Sequence, residues 1–347
     1  MTSLLRFVII DRNWTALSGK HSTAVIKIVS GSIMHITPRT IHLVAPSGYC
    51  QNQSAAARGI ARLQALGHRV ENSGIITRRD RRFAGNDNQR LQDINELAQL
   101  DTLPDIVLAV RGGYGASRLL SNIDYAALRQ RLHAAPLAIC GHSDFTAIQL
   151  ALLAQSGVQS FSAPMLAGNF GAEVVSEFTI NHFWQALTTP EITLKWATSP
   201  QQLQVSGIVW GGNLAMIAAL IGTPWMPDIQ QGILVIEDVN ESPFRIERML
   251  LQLHHSGILA RQRAIVTGSF SGKTSPAYDS GYDFHSVWNL IRDLTGLPVV
   301  NGLAFGHDAD TVTLPVGAQG LLRVNATSAT LQLSAYPVLR PLPGDRA

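Results

Sequence analysis

The sequence has little cysteine, no long apolar run and no marked excess of either charge, and each shortage removes a class of protein. Two cysteines among 347 residues, Cys50 and Cys140, form neither a CxxC pair nor a dense framework. A disulfide scaffold is thereby excluded, and a reducing compartment, the cytoplasm, is expected. No stretch of about 18 apolar residues occurs, so nothing reads as a membrane span. Lysine and arginine total 27 against 24 aspartate and glutamate, a net of +3, without the clustered basic face of a nucleic-acid-binding protein. The one dense basic run, Arg78-Arg79-Asp80-Arg81-Arg82, reads first as a solvated loop and only second as a phosphate site. There is no HExxH, which argues against a zinc peptidase; no metal or other cofactor is expected.

What is present is an alternation of short apolar runs with helical patterns. Strands are expected near 41–45, 69–76, 106–110 and 137–140, with helices near 54–66 and 88–99 and from 141 through 151. Parallel strands joined by crossover helices follow from that alternation. Beyond Val205 the pattern mixes strands at 232–237, 264–269 and 311–314 with a helix near 244–256. A chain of this length exceeds what one core of common size holds. The expected fold is therefore α/β. It has an N-terminal doubly wound parallel-sheet lobe over 41–189, of the flavodoxin or glutamine-amidotransferase kind, and a smaller mixed α+β lobe over 205–338. Residues 190–204, polar and irregular in composition, are expected to be the linker. Residues 1–40 read as an extension, disordered or upstream of a true start at Met34, because the first buried strand begins only near Ile41. Their short apolar patch, Leu4 to Ile10, is cut by Arg6 and lacks a small-residue cleavage site, so no secretory signal is expected.

Two segments carry chemistry. In Leu137-Ala138-Ile139-Cys140-Gly141-His142-Ser143-Asp144-Phe145-Thr146 an apolar run stops at a glycine, a serine follows, and a helical pattern starts at once. A serine on such a strand-turn-helix elbow stays exposed, and the helix start offers N–H groups to a developing oxyanion. The second segment, Arg111-Gly112-Gly113-Tyr114-Gly115, directly follows the strand at 106–110. Three glycines in four positions permit a turn that aims N–H groups at an anion. It is neither GxGxxG nor followed by a Walker lysine, so it does not read as a nucleotide-phosphate loop. Ligands of open parallel sheets bind off the carboxyl ends of the strands, where both segments would lie. A serine at a helix start is more often a plain N-cap, so Ser143 needs a base. Eleven histidines are present, and the residues alone do not choose His307 over His142.

The choice comes from a resemblance. Ala45-Pro46-Ser47-Gly48, Arg111-Gly112-Gly113-Tyr114-Gly115, Gly141-His142-Ser143-Asp144, Trp210-Gly211-Gly212-Asn213, Glu237-Asp238 and Gly306-His307 together resemble, in order over about residues 41–338, the LD-carboxypeptidases, or muramoyltetrapeptide carboxypeptidases. The resemblance implies a serine peptidase with a Ser-His-Glu triad falling on Ser143, His307 and Glu237, and oxyanion donors on the backbone of Gly113 and Asp144. It implies a murein tetrapeptide substrate, cut at the L,D bond to release D-alanine for cytoplasmic recycling, and a homodimer. Arg111, Tyr114, Trp210 and Asn213 are the expected substrate-binding residues, with Arg111 or a helix N-terminus facing the terminal carboxylate; for Trp210, core packing is the competing reading. One branch of the family instead cleaves aminoacyl-nucleotide antibiotics. A reading of another class is a non-catalytic ligand-binding protein on the same scaffold.

Overall fold

The computed structural model describes residues 24–27, 33–135, 137–272 and 277–340. Ala24–Lys27 (β1) and Ile33–Ile36 (β2) pair antiparallel as a separate ribbon. The rest of the expected extension before Ile33 lies outside the described residues.

The N-terminal sheet grows from the apolar runs identified above. Thr40–Val44 (β3), Gln53–Ala65 (α1), Arg69–Glu71 (β4), Asp87–Asn95 (α2), Ile106–Ala109 (β5), Tyr125–Ala134 (α3), Ala138–Gly141 (β6), Thr146–Ser156 (α4) and Ser160–Ser162 (β7) follow in chain order. The parallel strands lie in the order β7-β6-β5-β3-β4. Every residue of β5 and β6 is buried, as expected of a parallel strand covered on both faces. Asn52, Asn86 and Asp124 cap the helices α1, α2 and α3 by accepting a backbone N–H three residues on. The strand expected over 69–76 ends at Glu71, and a tight turn of helix occupies Ser73–Thr77.

Glu177–Thr188 (α5) leads into Glu191–Asn213 (β8), a single strand of 23 residues. The segment expected to be an irregular linker, 190–204, is therefore mostly sheet. Polar composition hid the alternation: Ile192 and Leu194 point inward while their neighbours are exposed, a period of two. Pro200 falls where the ladder to the partner strand is interrupted, between the pairs Ala197↔Ser328 and Gln201↔Ala326, so its missing N–H leaves no rung broken.

Leu214–Ala219 (α6), Gly232–Val239 (β9), Pro243–His255 (α7), Gln262–Ser271 (β10), Phe284–Thr295 (α8), Val299–Asn301 (β11), Leu314–Val316 (β12) and Ala318–Ser334 (β13) complete the chain. The C-terminal sheet has the order β11-β10-β9-β8-β13; β13 alone runs antiparallel to its neighbour. The strand expected at 311–314 forms at Leu314–Val316, and it joins the N-terminal sheet, antiparallel to β7. The C-terminal part of the chain therefore supplies an edge strand to the first sheet.

Helix α4 runs between them. Ile148, Gln149, Leu150 and Ala151 are all fully buried, so no face of this stretch meets water, the pattern of a helix inside a large core. Apolar clusters cross the boundary: Ile139 and Phe145 pack in one body with Leu234 and Ile236, and Leu108 and Cys140 with Val235 and Val266. Both cysteines are buried free thiols. No helix among the described residues is long and apolar enough to cross a membrane.

Candidate active site

The elbow forms because β6 stops at Gly141 and the chain must turn at once into α4. An added methyl at Gly141 would lie 2.6 Å from the Phe145 ring. That ring is fully buried, a burial worth about 2 kcal/mol that glycine alone permits. Ser143 takes φ +63°, a left-handed conformation uncommon for a residue with a side chain and held only where the surroundings over-determine it. Asp144 supplies much of that constraint. Its buried carboxylate accepts the N–H of Ala116 at 2.9 Å, pinning the glycine-rich turn after β5 to the elbow after β6.

That turn approaches the serine closely. A methyl on Gly112 would lie 2.7 Å from Ser143 Cβ and 2.8 Å from its Oγ, so only glycine lets the two loops meet. Gly113, φ +109°, comes next. Arg90, fully buried, donates to the carbonyl of Gly115 at 3.0 Å and also to that of Pro46, holding the first and third strand-end loops together. The Arg111 side chain folds back to donate to the Tyr49 carbonyl at 2.8 Å. Tyr114 is 44% exposed beside it.

The second sheet brings the acid and the imidazole. Glu237, near the end of β9, is 2% exposed, and its Oε2 lies 2.7 Å from Nδ1 of His307. His307 sits in the loop after β11, whose Gly306 (φ +142°) would place a methyl 3.1 Å from that same Oε2. The hydrogen bond to a carboxylate assigns the Nδ1 proton, leaving Nε2 as the free base. Burial pushes the His307 pKa down, but the bond to Glu237 and its charge, with Asp238 and Asp308 adding to it, outweigh burial and hold the value above 6.5.

His142, the residue before Ser143, meets His307 edge-on with ring centroids 5.2 Å apart, and its Nδ1 donates to the Ala163 carbonyl at 2.9 Å. Burial, reinforced by the neighbouring His307, lowers its pKa to about 4, so it is neutral wherever His307 titrates. A cavity of about 10 Å³ lies behind the pair, lined in part by His142, Ser162, Glu237 and Thr311; it is far too small for a peptide. Among the described residues Ser143 and His307 are not hydrogen-bonded to each other, a bond that forms in many hydrolases only when substrate is present.

The structure thus gathers Ser143, Gly113, Asp144, Arg111, Tyr114, Glu237 and His307 at one place. Two expected substrate contacts are not there. Trp210 is fully buried, its indole N–H donating to Gln262 at 2.8 Å, and it is a core residue. Asn213 is 6% exposed, and its side chain is occupied by protein groups. Its Nδ2 lies 3.3 Å from Glu237 Oε1 and 3.1 Å from Asp238 Oδ1, while its Oδ1 caps α6 through the N–H of Met216 at 3.2 Å. Asn213 is therefore committed to protein partners and holds the glutamate. Sequence reasoning missed Asp238. It takes the N–H of Ala215 and of Val239 at 2.9 and 2.8 Å, and burial, with Glu237 beside it, raises its pKa to about 6. It also missed Thr146, Arg90 and the role of the Asp144 side chain, whose partners are distant in sequence. Among the described residues no group of three or more His, Cys, Asp or Glu side chains is arranged to hold a metal ion.

Comparison with known proteins gives matches over both lobes. Residues 41–163 match the family model of the LD-carboxypeptidase N-terminal domain, and residues 206–322 that of its C-terminal domain. A candidate carboxypeptidase of Synechocystis is 34% identical over 81% of this chain and 90% of its own. The crystal structure of muramoyltetrapeptide carboxypeptidase from Oxalobacter formigenes superposes with a TM-score of 0.80 at 44% identity, covering 86% of this chain and 100% of that one. The microcin C7 self-immunity protein of Escherichia coli is 28% identical over 76% of this chain and 83% of its own.

Proposed function

Since the chain belongs to the LD-carboxypeptidase family and is a serine carboxypeptidase, we propose that it releases the terminal D-alanine of murein tetrapeptides by cutting the L,D bond after meso-diaminopimelate. The observation that carries the residue roles is the buried His307–Glu237 pair, 2.7 Å apart, set beside a serine at φ +63°. His307 Nε2 takes the Ser143 proton as Oγ attacks the scissile carbonyl, and Glu237 stabilises the resulting imidazolium through Nδ1. The N–H groups of Gly113 and Asp144 receive the oxyanion. Collapse breaks the C–N bond, the imidazolium gives its proton to the departing D-alanine nitrogen, and an ester to Ser143 remains. Water, deprotonated by His307, then hydrolyses the ester and regenerates the serine. Arg111 binds the carboxylate of the leaving residue.

The muramoyltetrapeptide-cleaving relative at 44% identity supports this substrate. We assign the enzyme to the cytoplasm, in peptidoglycan recycling, as a homodimer. The test is mass spectrometry of the protein with L-Ala-γ-D-Glu-meso-diaminopimelate-D-Ala, chelator present and Ser143→Ala as control. Loss of one D-alanine by the unsubstituted protein only is expected; equal loss by Ser143→Ala would overturn the nucleophile assignment.

The similarity to the microcin immunity protein favours one second reading, hydrolysis of aminoacyl-nucleotide antibiotics by the same three residues. Ser143 labelled by an electrophilic phosphonate, together with an untouched tetrapeptide, would select it.

A further inference from the structure

The basic run Arg78–Arg82 folds onto the rim of the active site. Arg82 accepts the N–H of Tyr49 at 2.9 Å through its carbonyl, Ala84 donates to Ser47 at 3.1 Å, and Gly48 donates to the Gly112 carbonyl at 3.2 Å. Gly112 in turn abuts Ser143. The loop is a fixed object: Asp80 and Phe83 exchange backbone hydrogen bonds of 3.0 and 2.9 Å around Arg81 at φ +55°. Phe83, 8% exposed, is pinned by the guanidiniums of Arg90 and Arg118 at 4.7 and 4.8 Å from its ring centre.

Apart from the exposed Arg81, which is neither ion-paired nor stacked on a ring among the described residues, the arginines of this region divide into two kinds. Arg78 is paired in a fork with Asp93 at 2.9 and 2.5 Å, Arg118 with Asp87 at 3.0 and 2.7 Å, and Arg90 with Asp87 as well. Asp93 balances Arg78, Arg118 and Arg90 share the single Asp87 carboxylate, and all three arginines serve the fold. Arg79 and Arg82 are exposed and have no acidic partner among the described residues. Each guanidinium is instead laid over an aromatic ring, Arg79 over Tyr49 at 4.7 Å and Arg82 over Tyr114 at 5.4 Å. Stacking orients the planar fork; Arg79 Nε donates to the Arg81 carbonyl at 3.0 Å, and the terminal Nη groups are left to present N–H donors to a carboxylate. Asp80, exposed in the same loop, forms no ion pair among the described residues and offsets only part of the charge.

The position selects the ligand. A carboxypeptidase has one residue on its leaving side, about 3.8 Å of chain, and Arg111, lying over Gly48 and Gly113, serves that end. Tyr49 and Tyr114 directly follow those glycines in the chain, and because the leaving residue carries only the carboxylate assigned to Arg111, further cations on this rim are left for the acyl portion. We propose that Arg79 and Arg82 form a subsite for a side-branch carboxylate on the acyl portion of the substrate. In a murein tetrapeptide this is either the α-carboxylate of the γ-linked D-glutamate or the side-chain carboxylate of diaminopimelate. The subsite rests on the LD-carboxypeptidase reading and adds a specificity element to it.

Calorimetric titration of the Ser143→Ala protein, with and without Arg79→Gln plus Arg82→Gln, would use three peptides. These are the tetrapeptide, its D-isoglutamine analogue and its analogue with lysine in place of diaminopimelate. The double substitution is expected to weaken tetrapeptide binding about tenfold. One analogue is expected to bind as weakly to the Ser143→Ala parent and to lose nothing further on substitution, which identifies the carboxylate. Unchanged tetrapeptide affinity and unchanged kcat/KM in the Arg79→Gln, Arg82→Gln enzyme, or equal losses for all three peptides, would overturn the subsite alone. Failure of the Ser143→Ala protein to bind the tetrapeptide, together with failure of the unsubstituted protein to cleave it, would overturn the LD-carboxypeptidase reading, and the subsite with it.

Discussion

The hydroxyl of Thr146 accepts the backbone N–H of Asn213 at 3.2 Å. Thr146 is the first residue of the helix behind the Ser143 elbow; Asn213 is the last residue of β8 and lies in register with Glu237 on β9. One buried hydrogen bond thus fixes the serine of the first sheet relative to the glutamate of the second. Close packing reinforces it, since a methyl on Gly212 would lie 2.7 Å from the same hydroxyl.

Thr146→Val keeps the shape of the side chain and leaves the Asn213 N–H buried and unpaired, a cost of about 1–3 kcal/mol. Thermal denaturation is expected to show a lower Tm, and steady-state kinetics a lower kcat with KM little changed, because the contact aligns reacting groups and touches no substrate. A drop in Tm with full kcat retained would contradict the alignment role.

Asn213→Ala removes the cap of α6, worth about 1 kcal/mol, and the amide that bridges Glu237 and Asp238. Without that donor the two adjacent carboxylates repel directly. The expected result is a fall in kcat of about tenfold or more, with peptide affinity of the Ser143→Ala form unaffected by the added substitution. Weakened peptide binding would return Asn213 to the substrate-contacting residues.

The pH profile should report His307. Its pKa lies above 6.5 because Glu237 outweighs burial, and the base must be neutral to act. Accordingly kcat/KM is expected to rise with pH through an inflection above 6.5. Glu237→Gln keeps a hydrogen-bond acceptor but removes the charge, so burial then dominates. The inflection should move to lower pH, while kcat falls by about three orders of magnitude. An inflection that stays in place in this variant would assign it to another group.

His68 offers a stability test with the opposite sign. It is 4% exposed, stacked on Trp184 at 4.9 Å, and its Nδ1 accepts the N–H of Arg39 at 3.1 Å. Burial, with Arg39 adding to it, lowers its pKa from 6.5 to about 4. Between those values the unfolded chain binds more protons, so this histidine's contribution to stability is lost as pH falls from 6.5 toward 4. Urea denaturation should find His68→Gln less stable than the native protein at pH 7 and the gap narrower at pH 5. A gap that is constant with pH would refute the shift.

The serine elbow and the glycine-rich turn were legible because their causes are local. A strand that ends at Gly141, a residue forced left-handed and a helix that starts three residues later are consecutive in the chain, and so are Arg111 to Gly115. The alternation of apolar runs likewise determined the parallel first sheet, because a buried strand and its crossover helix announce themselves by period and length. The family motifs were visible as short strings for the same reason.

Other features depend on which distant segments meet. The 190–204 stretch is polar enough to read as a linker, yet pairing with β13 makes it sheet. Leu314–Val316 looks like any short apolar run, and only the open edge beside β7 makes it a strand of the first sheet. Trp210 and Asn213 follow one another within four residues of a glycine-rich motif; the register of β8 against β9 buries the first and aims the second at Glu237 and Asp238. Of eleven histidines, the residue types do not say which faces a carboxylate. The approach of the loop after β11 to the end of β9 does, setting His307 at 2.7 Å from Glu237 and His142 against its edge. Sequence by itself determined the local turns and the periodic elements, whose energies come from neighbours along the chain. Tertiary structure alone decided how the two sheets are clamped and which charged groups face one another, because those energies arise between segments that the sequence keeps up to a hundred and more residues apart.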